Sequence, residues 1–255
     1  MIKRVVFNQK GGVGKTTIVC NLAAIAASRG LRTLVIDLDT QGNATQYLMG
    51  ESELQPDRSI AGFFESTLNF SLAPPPLMTF ATNTPLDNLD VIAAAPELDE
   101  LAVKLEAKQK IYKLRDGINK LKDYDAVFID TPPALNFYSR SALIAADRCL
   151  IPFDCDEFAR QALNTLLENI QEIRNDHNES LELDGIVVNQ WQARAALPAR
   201  IIAELKAEGR PVLETMLSAS VRVKESHEKS RPMVAFDRGH KVTQEYLALY
   251  DALNA

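Results

Sequence analysis

Long apolar runs are missing from this chain: no stretch approaches the roughly eighteen consecutive apolar residues of a membrane-spanning helix, and none is expected to cross a bilayer. The N-terminus, MIKRVVFNQKGG, has only Val5-Val6-Phe7 after its two basic residues, far short of the apolar region of a signal peptide, so export is not expected. Cysteine is scarce. Cys20, Cys149 and Cys155 show no CxxC spacing, which excludes a metal framework and suits a reducing cytosol, with buried small hydrophobes as the plain reading. Internal repeats and low-complexity tails are also absent. What is present is ordinary for a globular protein: 255 residues, 46% hydrophobic, 24% charged and a net charge of −6, enough for one α/β domain spanning residues 1–255.

Short apolar runs recur at Val5–Phe7, Thr33–Ile36, Leu89–Ile92, Ala126–Ile129, Cys149–Ile151 and Gly185–Val188. Such β-branched runs without alternation are the mark of strands covered on both faces, as in a parallel sheet with helices on each side. Thr16 to Arg29 carries Ile18, Leu22, Ile25 and Ala26 at helical spacing and stops at Gly30, so residues 2–36 read as a right-handed strand–helix–strand unit. Residues 97–121 predict one long helix or two, and Thr243 to Leu253 a closing helix packed on the sheet. Between Glu51 and Asn88 the pattern weakens around Pro74-Pro75-Pro76, and the segment reads as a surface insertion. The expected architecture is a doubly wound, mainly parallel sheet.

The stretch Gln9-Lys10-Gly11-Gly12-Val13-Gly14-Lys15-Thr16-Thr17 joins the first strand to the first helix. Gln9 stands where the usual GxxxxGK[ST] register needs a glycine. The remaining glycines still let backbone N–H groups approach phosphates, the helix N-terminus favours negative charge, Lys15 suits the β- and γ-phosphates, and the Thr16 hydroxyl suits Mg²⁺. One lysine suffices for that task, yet Lys10 stands five positions before Lys15. Asp130 ends the run Ala126–Ile129, where a carboxylate is placed to hold a magnesium shell, and Asp37 and Asp39 end the neighbouring run in DLDTQGNAT. Any one of these aspartates is also an ordinary cap or turn residue, as is Asn189 after Ile186–Val188. Charge is uneven as well. Residues 194–241 hold ten Lys or Arg against six Asp or Glu, an excess of four on an acidic protein, which suggests an anionic partner or a solvated mixed surface.

Four segments together resemble the ParA family of ATPases, in the wider group with MinD and the nitrogenase iron protein: KGGVGKTT, DLDTQGNAT at 37–45, YDAVFIDTPP at 124–133 and SVRVKESHEKSRPM at 220–233. Residues 88–105 also resemble a family segment, and the likeness covers nearly the whole chain. The resemblance implies a deviant phosphate loop in which Lys10 reaches across an ATP-dependent homodimer to the partner's phosphates while Lys15 serves its own. By the same matching Gly11, Gly12, Val13, Gly14, Thr16 and Thr17 would cradle ATP, Asn189 would lie near the adenine, and Asp39 would orient the attacking water. Thr16, Asp37, Asp39 and Asp130 would serve Mg²⁺. The family further implies non-specific DNA binding through the C-terminal third, here Arg194 and Arg222 with Lys224 and Lys241, and a ParB-type adaptor that stimulates slow hydrolysis, with the protein cytoplasmic on the nucleoid. Trp191, the single tryptophan, suits packing at a strand end better than base stacking.

Rival readings within the group fit less well. A MinD-like membrane ATPase should end in a basic amphipathic helix, whereas EYLALYDALNA has no Lys or Arg after Lys241. An electron carrier needs cysteines placed to share a cluster, and these are not. No N-terminal helix-turn-helix extension precedes the first strand, so operator-specific binding is not expected. Positioning of a protein assembly such as a chemotaxis cluster stays open, because the adaptor decides the cargo.

Overall fold

The computed structural model describes residues 1–50, 57–155, 159–192 and 196–254. Its strands are β1 (Ile2–Val6), β2 (Thr33–Asp37), β3 (Thr82–Asn83), β4 (Leu89–Ile92), β5 (Ala126–Asp130), β6 (Arg148–Phe153) and β7 (Glu182–Val188). They form one sheet in the order β3-β4-β2-β5-β1-β6-β7, parallel throughout except for the two-residue edge strand β3. The helices run α1 (Lys15–Ser28), α2 (Asn43–Met49), α3 (Ile60–Ser66), α4 (Leu98–Ala107), α5 (Lys113–Ile118) and α6 (Phe137–Ala145), then α7 (Ala159–Asp176), α8 (Ala196–Ala207), α9 (Val221–Glu228), α10 (Met233–Phe236) and α11 (Lys241–Leu253).

The period-two alternation of strand side chains divides the core into two layers. Val5, Leu34, Ile36, Val127 and Ile129 face α3 to α8, whereas Val6, Val35, Val91 and Phe128 face α1, α2 and the C-terminal helices. β2 and β5 are buried along their whole length, which explains why their sequences are unbroken apolar runs. The sheet's far side is stapled by a buried cation: Arg4 of β1 donates from Nε to Asp184 of β7 at 2.6 Å and from Nη2 to the Leu253 carbonyl at 2.9 Å.

Two expectations are refined. Residues 97–121 form two helices, because Gln109 adopts φ +54° and turns the chain after α4, with the Lys110 N–H donating back to the Leu105 carbonyl. The insertion expected over 51–88 lies on the surface only in part. Ser59 caps α3 by accepting from the Gly62 N–H, and α3 buries Phe63 and Phe64 in the core. The proline-rich stretch that follows masked this helix in the sequence. Trp191 packs beside the core at the end of β7, and its backbone N–H donates to the Leu217 carbonyl.

Candidate functional site at the carboxyl edge of the sheet

All parallel strands end at one edge, and the glycine loop leaves β1 there. Gly12 and Gly14 have φ of +76° and +89°, a region that side-chain-bearing residues rarely adopt. At Gly14 a Cβ would lie 2.1 Å from Nδ2 of Asn189, so the loop needs glycine for space as well as for conformation. Asn189 Nδ2 donates to the Val13 carbonyl and Gln190 Nε2 to the Gly12 carbonyl, both at 2.8 Å. On the other side the Asn8 side chain donates to the Pro152 carbonyl and accepts from the Lys10 N–H. The ends of β6 and β7 therefore hold the loop in shape before any ligand arrives.

Lys15 is 6% exposed and donates to the Lys10 carbonyl at 3.1 Å. Burial lowers its pKa from the usual lysine value, and the nearby carboxylates of Asp130 and Asp39 oppose that shift. Thr16 Oγ1 donates to Asp130 Oδ2 at 2.7 Å, whereas Asp130 Oδ1 is buried without a hydrogen-bond partner. Burial raises the Asp130 carboxyl well above its ordinary range, and the charge of Asp37, its cross-strand neighbour, pushes it the same way. A buried carboxylate with one unanswered oxygen, beside a threonine hydroxyl and a lysine, is a donor set suited to a cation bound with phosphates. Among the described residues no group of three or more His, Cys, Asp or Glu forms a metal cluster by itself.

Asp37 and Asp39 sit in different settings. Asp37 Oδ2 accepts from the backbone and hydroxyl of Thr45 at 2.8 and 2.7 Å, and Oδ1 accepts from the Asp39 N–H at 3.1 Å. Both oxygens are engaged, so Asp37 organises the loop into α2. Burial pushes its carboxyl up to about 6 despite those hydrogen bonds. Asp39 is held at the edge by this arrangement, one oxygen accepting from the Gln41 N–H at 3.1 Å.

A cleft of about 480 Å³ opens beside the loop, lined by Gly12, Gly14, Thr17, Asn189, Lys224 and His227. Its wall, α9, is tied to the loop helix: Thr17 Oγ1 lies 3.0 Å from His227 Nε2, and the imidazole stacks on Tyr47 with ring centroids 3.8 Å apart. Tyr47 OH meets Ser226 Oγ at 2.7 Å, and Asn21 receives the Met233 N–H. Burial lowers the His227 pKa below its usual 6.5, which keeps the ring neutral at pH 7. Gln190, Asn21, Tyr47 and His227 escaped sequence reasoning, because each acts through contacts across 26 to 212 positions that no local pattern announces.

The phosphate loop, Asp37, Asp39, Asp130 and Asn189 thus converge on one edge. Lys10 lies on its rim, 37% exposed, with Nζ 3.7 Å from Asp154. The basic residues expected to meet DNA do not assemble in the same way. Arg194 lies outside the described residues. The Arg222 guanidinium is engaged by Asp237 at 2.8 Å and Glu225 at 2.6 Å and stacks over Phe236, so its charge is answered within the protein. Lys241 sits 3.3 Å from Glu245, and Lys224 lines the cleft. No helix among the described residues is long and apolar enough to cross a membrane.

A doubly wound sheet carrying a glycine phosphate loop and buried aspartates at its carboxyl edge defines a nucleotide-hydrolysing α/β protein of the P-loop class. The AAA domain family matches residues 2–183. Over 245 residues the chain is 34% identical to the chromosome partitioning protein ParA of Myxococcus xanthus, covering 95% of this chain and 84% of that protein. It is 31% identical to the sporulation initiation inhibitor protein Soj of Bacillus subtilis, covering 95% and 94%. Among solved structures, apo McdA of Cyanothece superposes with a TM-score of 0.86 at 21% identity over 99% of both chains. Cobyrinic acid a,c-diamide synthase of Mycobacterium smegmatis with bound ADP and magnesium gives 0.75 at 26% identity over 90% and 93%. The chain belongs to the ParA/Soj family of partitioning ATPases. It is an ATPase.

Proposed function

We propose that this chain dimerises on Mg-ATP, binds DNA without sequence preference in that state, and drives partitioning of a plasmid or chromosome with a ParB-type partner. The observation that carries the reading is the pair of loop lysines in contrasting settings: Lys15 buried toward Asp130 and Asp39, Lys10 half-buried on the rim of the same loop. Lys15 then serves the phosphates of its own subunit, and Lys10 reaches those of a second copy. Thr16 and Asp130 would hold a Mg²⁺ ion, which would offset charge on the phosphates, while Asp39 would orient the attacking water and Asp37 keeps Asp39 in place. ATP brings about four negative charges to the shared interface, and a cation from each subunit offsets part of that charge. ADP lacks the γ-phosphate and holds the dimer less well. Arg194, Lys224 and Lys241 are the DNA-facing cations of this reading, Arg222 serving mainly to hold α9 to the segment after α10. Two subunits double the phosphate contacts, so DNA affinity rises on dimerisation and falls steeply with salt.

The test is fluorescence anisotropy with a random-sequence duplex, in Mg-ATP and in Mg-ADP, across a salt series. Binding in ATP alone, weakened by salt, is the expected result, and equal binding in both states would overturn the switch. Light scattering on Lys10→Ala examines the dimer separately: the variant should bind nucleotide as a monomer, and a stable ATP dimer would remove Lys10 from its role.

A further inference from the structure

A concavity of about 710 Å³ lies away from the phosphate loop. Its floor is built where α5 meets α3 and the turn at Leu77–Phe80. Gly117 makes that approach possible, since a Cβ there would lie 3.0 Å from Phe63 and 3.3 Å from Leu77. One wall is Pro74-Pro75-Pro76, extended at Pro76 with φ −67° and ψ 152°. Three prolines offer no N–H groups, so this wall cannot take up a partner strand by backbone pairing, and their stiffness reduces the entropy lost when a ligand docks. Phe70, beside it, is 93% exposed. Lys108 donates from Nζ to the Leu68 carbonyl at 2.9 Å and ties the proline-bearing segment to the end of α4.

The rim is cationic. Lys108, Lys110, Lys113 and Lys120 line the groove, and the one lining carboxylate is Asp116, 3.9 Å from Lys113. Residues 104–122 carry seven Lys or Arg against two Asp or Glu, an excess of five that leaves −11 for the rest of a −6 chain. An apolar floor and a proline wall inside a lysine rim call for a ligand with apolar side chains flanked by negative charge. A duplex presents its phosphates on a convex surface, and its apolar thymine methyls lie inside the major groove, where they do not reach such a floor. A basic activating segment would be repelled.

We infer that the groove between Pro74–Pro76 and Lys110–Lys120 docks an acidic peptide segment that carries apolar side chains, contributed by a protein partner. The occupant differs in charge from a basic ParB-type segment, so the inference does not depend on the ATP-dependent DNA switch.

The experiment uses the full chain and a short fluorescein-labelled peptide of Glu, Asp, Leu and Phe, followed by anisotropy. Controls are the peptide with Lys for its acids, the peptide with Ser for its apolar residues, and a labelled random duplex with Mg-ATP. The wild-type chain should bind the acidic apolar peptide and neither control peptide comparably. Lys110→Glu with Lys113→Glu and Lys120→Glu should weaken it by about ten-fold or more, and Phe70→Ser by about three-fold. The milder pair Lys110→Gln with Lys120→Gln, expected to weaken it less, guards against misfolding of the triple variant. ATP hydrolysis and duplex binding should persist in all variants. Equal binding of the acidic peptide by wild type and variants would overturn the inference. So would a loss of duplex binding without loss of peptide binding, which would make the groove a nucleic-acid surface.

Discussion

The chain has two basic regions, and they are built in opposite ways. The C-terminal tract, residues 194–241, is the one that charge counting selects, yet half of its ten cations are answered from within. Arg200 pairs with Glu204, Lys206 with Glu214, Arg210 with Glu208, Arg222 with Asp237 and Glu225, and Lys241 with Glu245 just beyond the tract. In the stretch from α4 to β5, Lys104, Lys110, Lys120 and Lys122 have no carboxylate within ion-pair distance among the described residues. A count of charge along the sequence does not locate a field on the surface. What matters is whether the fold brings an acid to each base, and several of these pairs close over distances a composition window cannot see.

Cations placed at different depths extend the comparison into a scale that experiment can break. Its upper end is Arg4, 2% exposed and paired with Asp184. Arg4→Ala leaves the buried Asp184 carboxylate with only Arg148, 3.9 Å away, and should destabilise by about 3–5 kcal/mol in urea unfolding. A loss below about 1 kcal/mol would mean that packing, not the ion pair, holds β1 and β7 together. Next comes a buried group with the opposite charge. Because the folded state raises Asp37 from 3.8 to about 6, it favours the protonated form. This contribution to stability is fully present below pH 3.8 and is lost as pH rises through about 6. Asp37→Asn should therefore remove a decline on the order of 2–3 kcal/mol between those limits, seen as the difference between the pH profiles of variant and wild type. Identical profiles would show that the neighbouring Asp130 carries the titration. The smallest effects lie at the surface and test the two regions directly. Arg222→Ala should lower the melting temperature by a few degrees, because it releases α9 from Asp237 and Phe236, whereas Lys122→Ala should leave it unchanged. Equal shifts would erase the distinction between answered and unanswered cations.

Much of the architecture was legible in the sequence because its signals are local. Strands buried on both faces read as unbroken apolar runs, and the glycine loop sits where a strand must give way to a helix. α3 was not legible. Phe63 and Phe64 reach the core through a helix of seven residues, too short for periodicity to stand out beside the prolines that follow. At the candidate site the residue types were legible, but the division of labour was not. Asp37 and Asp39 look equivalent in DLDTQ, and only the return of Thr45 to Asp37 separates the organising carboxylate from the one left at the edge.

By itself, the sequence determined the fold class, the phosphate loop and the family, since each rests on residues adjacent in the chain whose chemistry and spacing carry the constraint. Tertiary structure alone decided which charges face one another. It closed Asn189 and Gln190 onto the loop, set His227 against Thr17, answered Arg222 from Asp237 and left the lysine rim open around an apolar groove. Electrostatic energy depends on separation in space and on burial, and neither is a function of position along the chain.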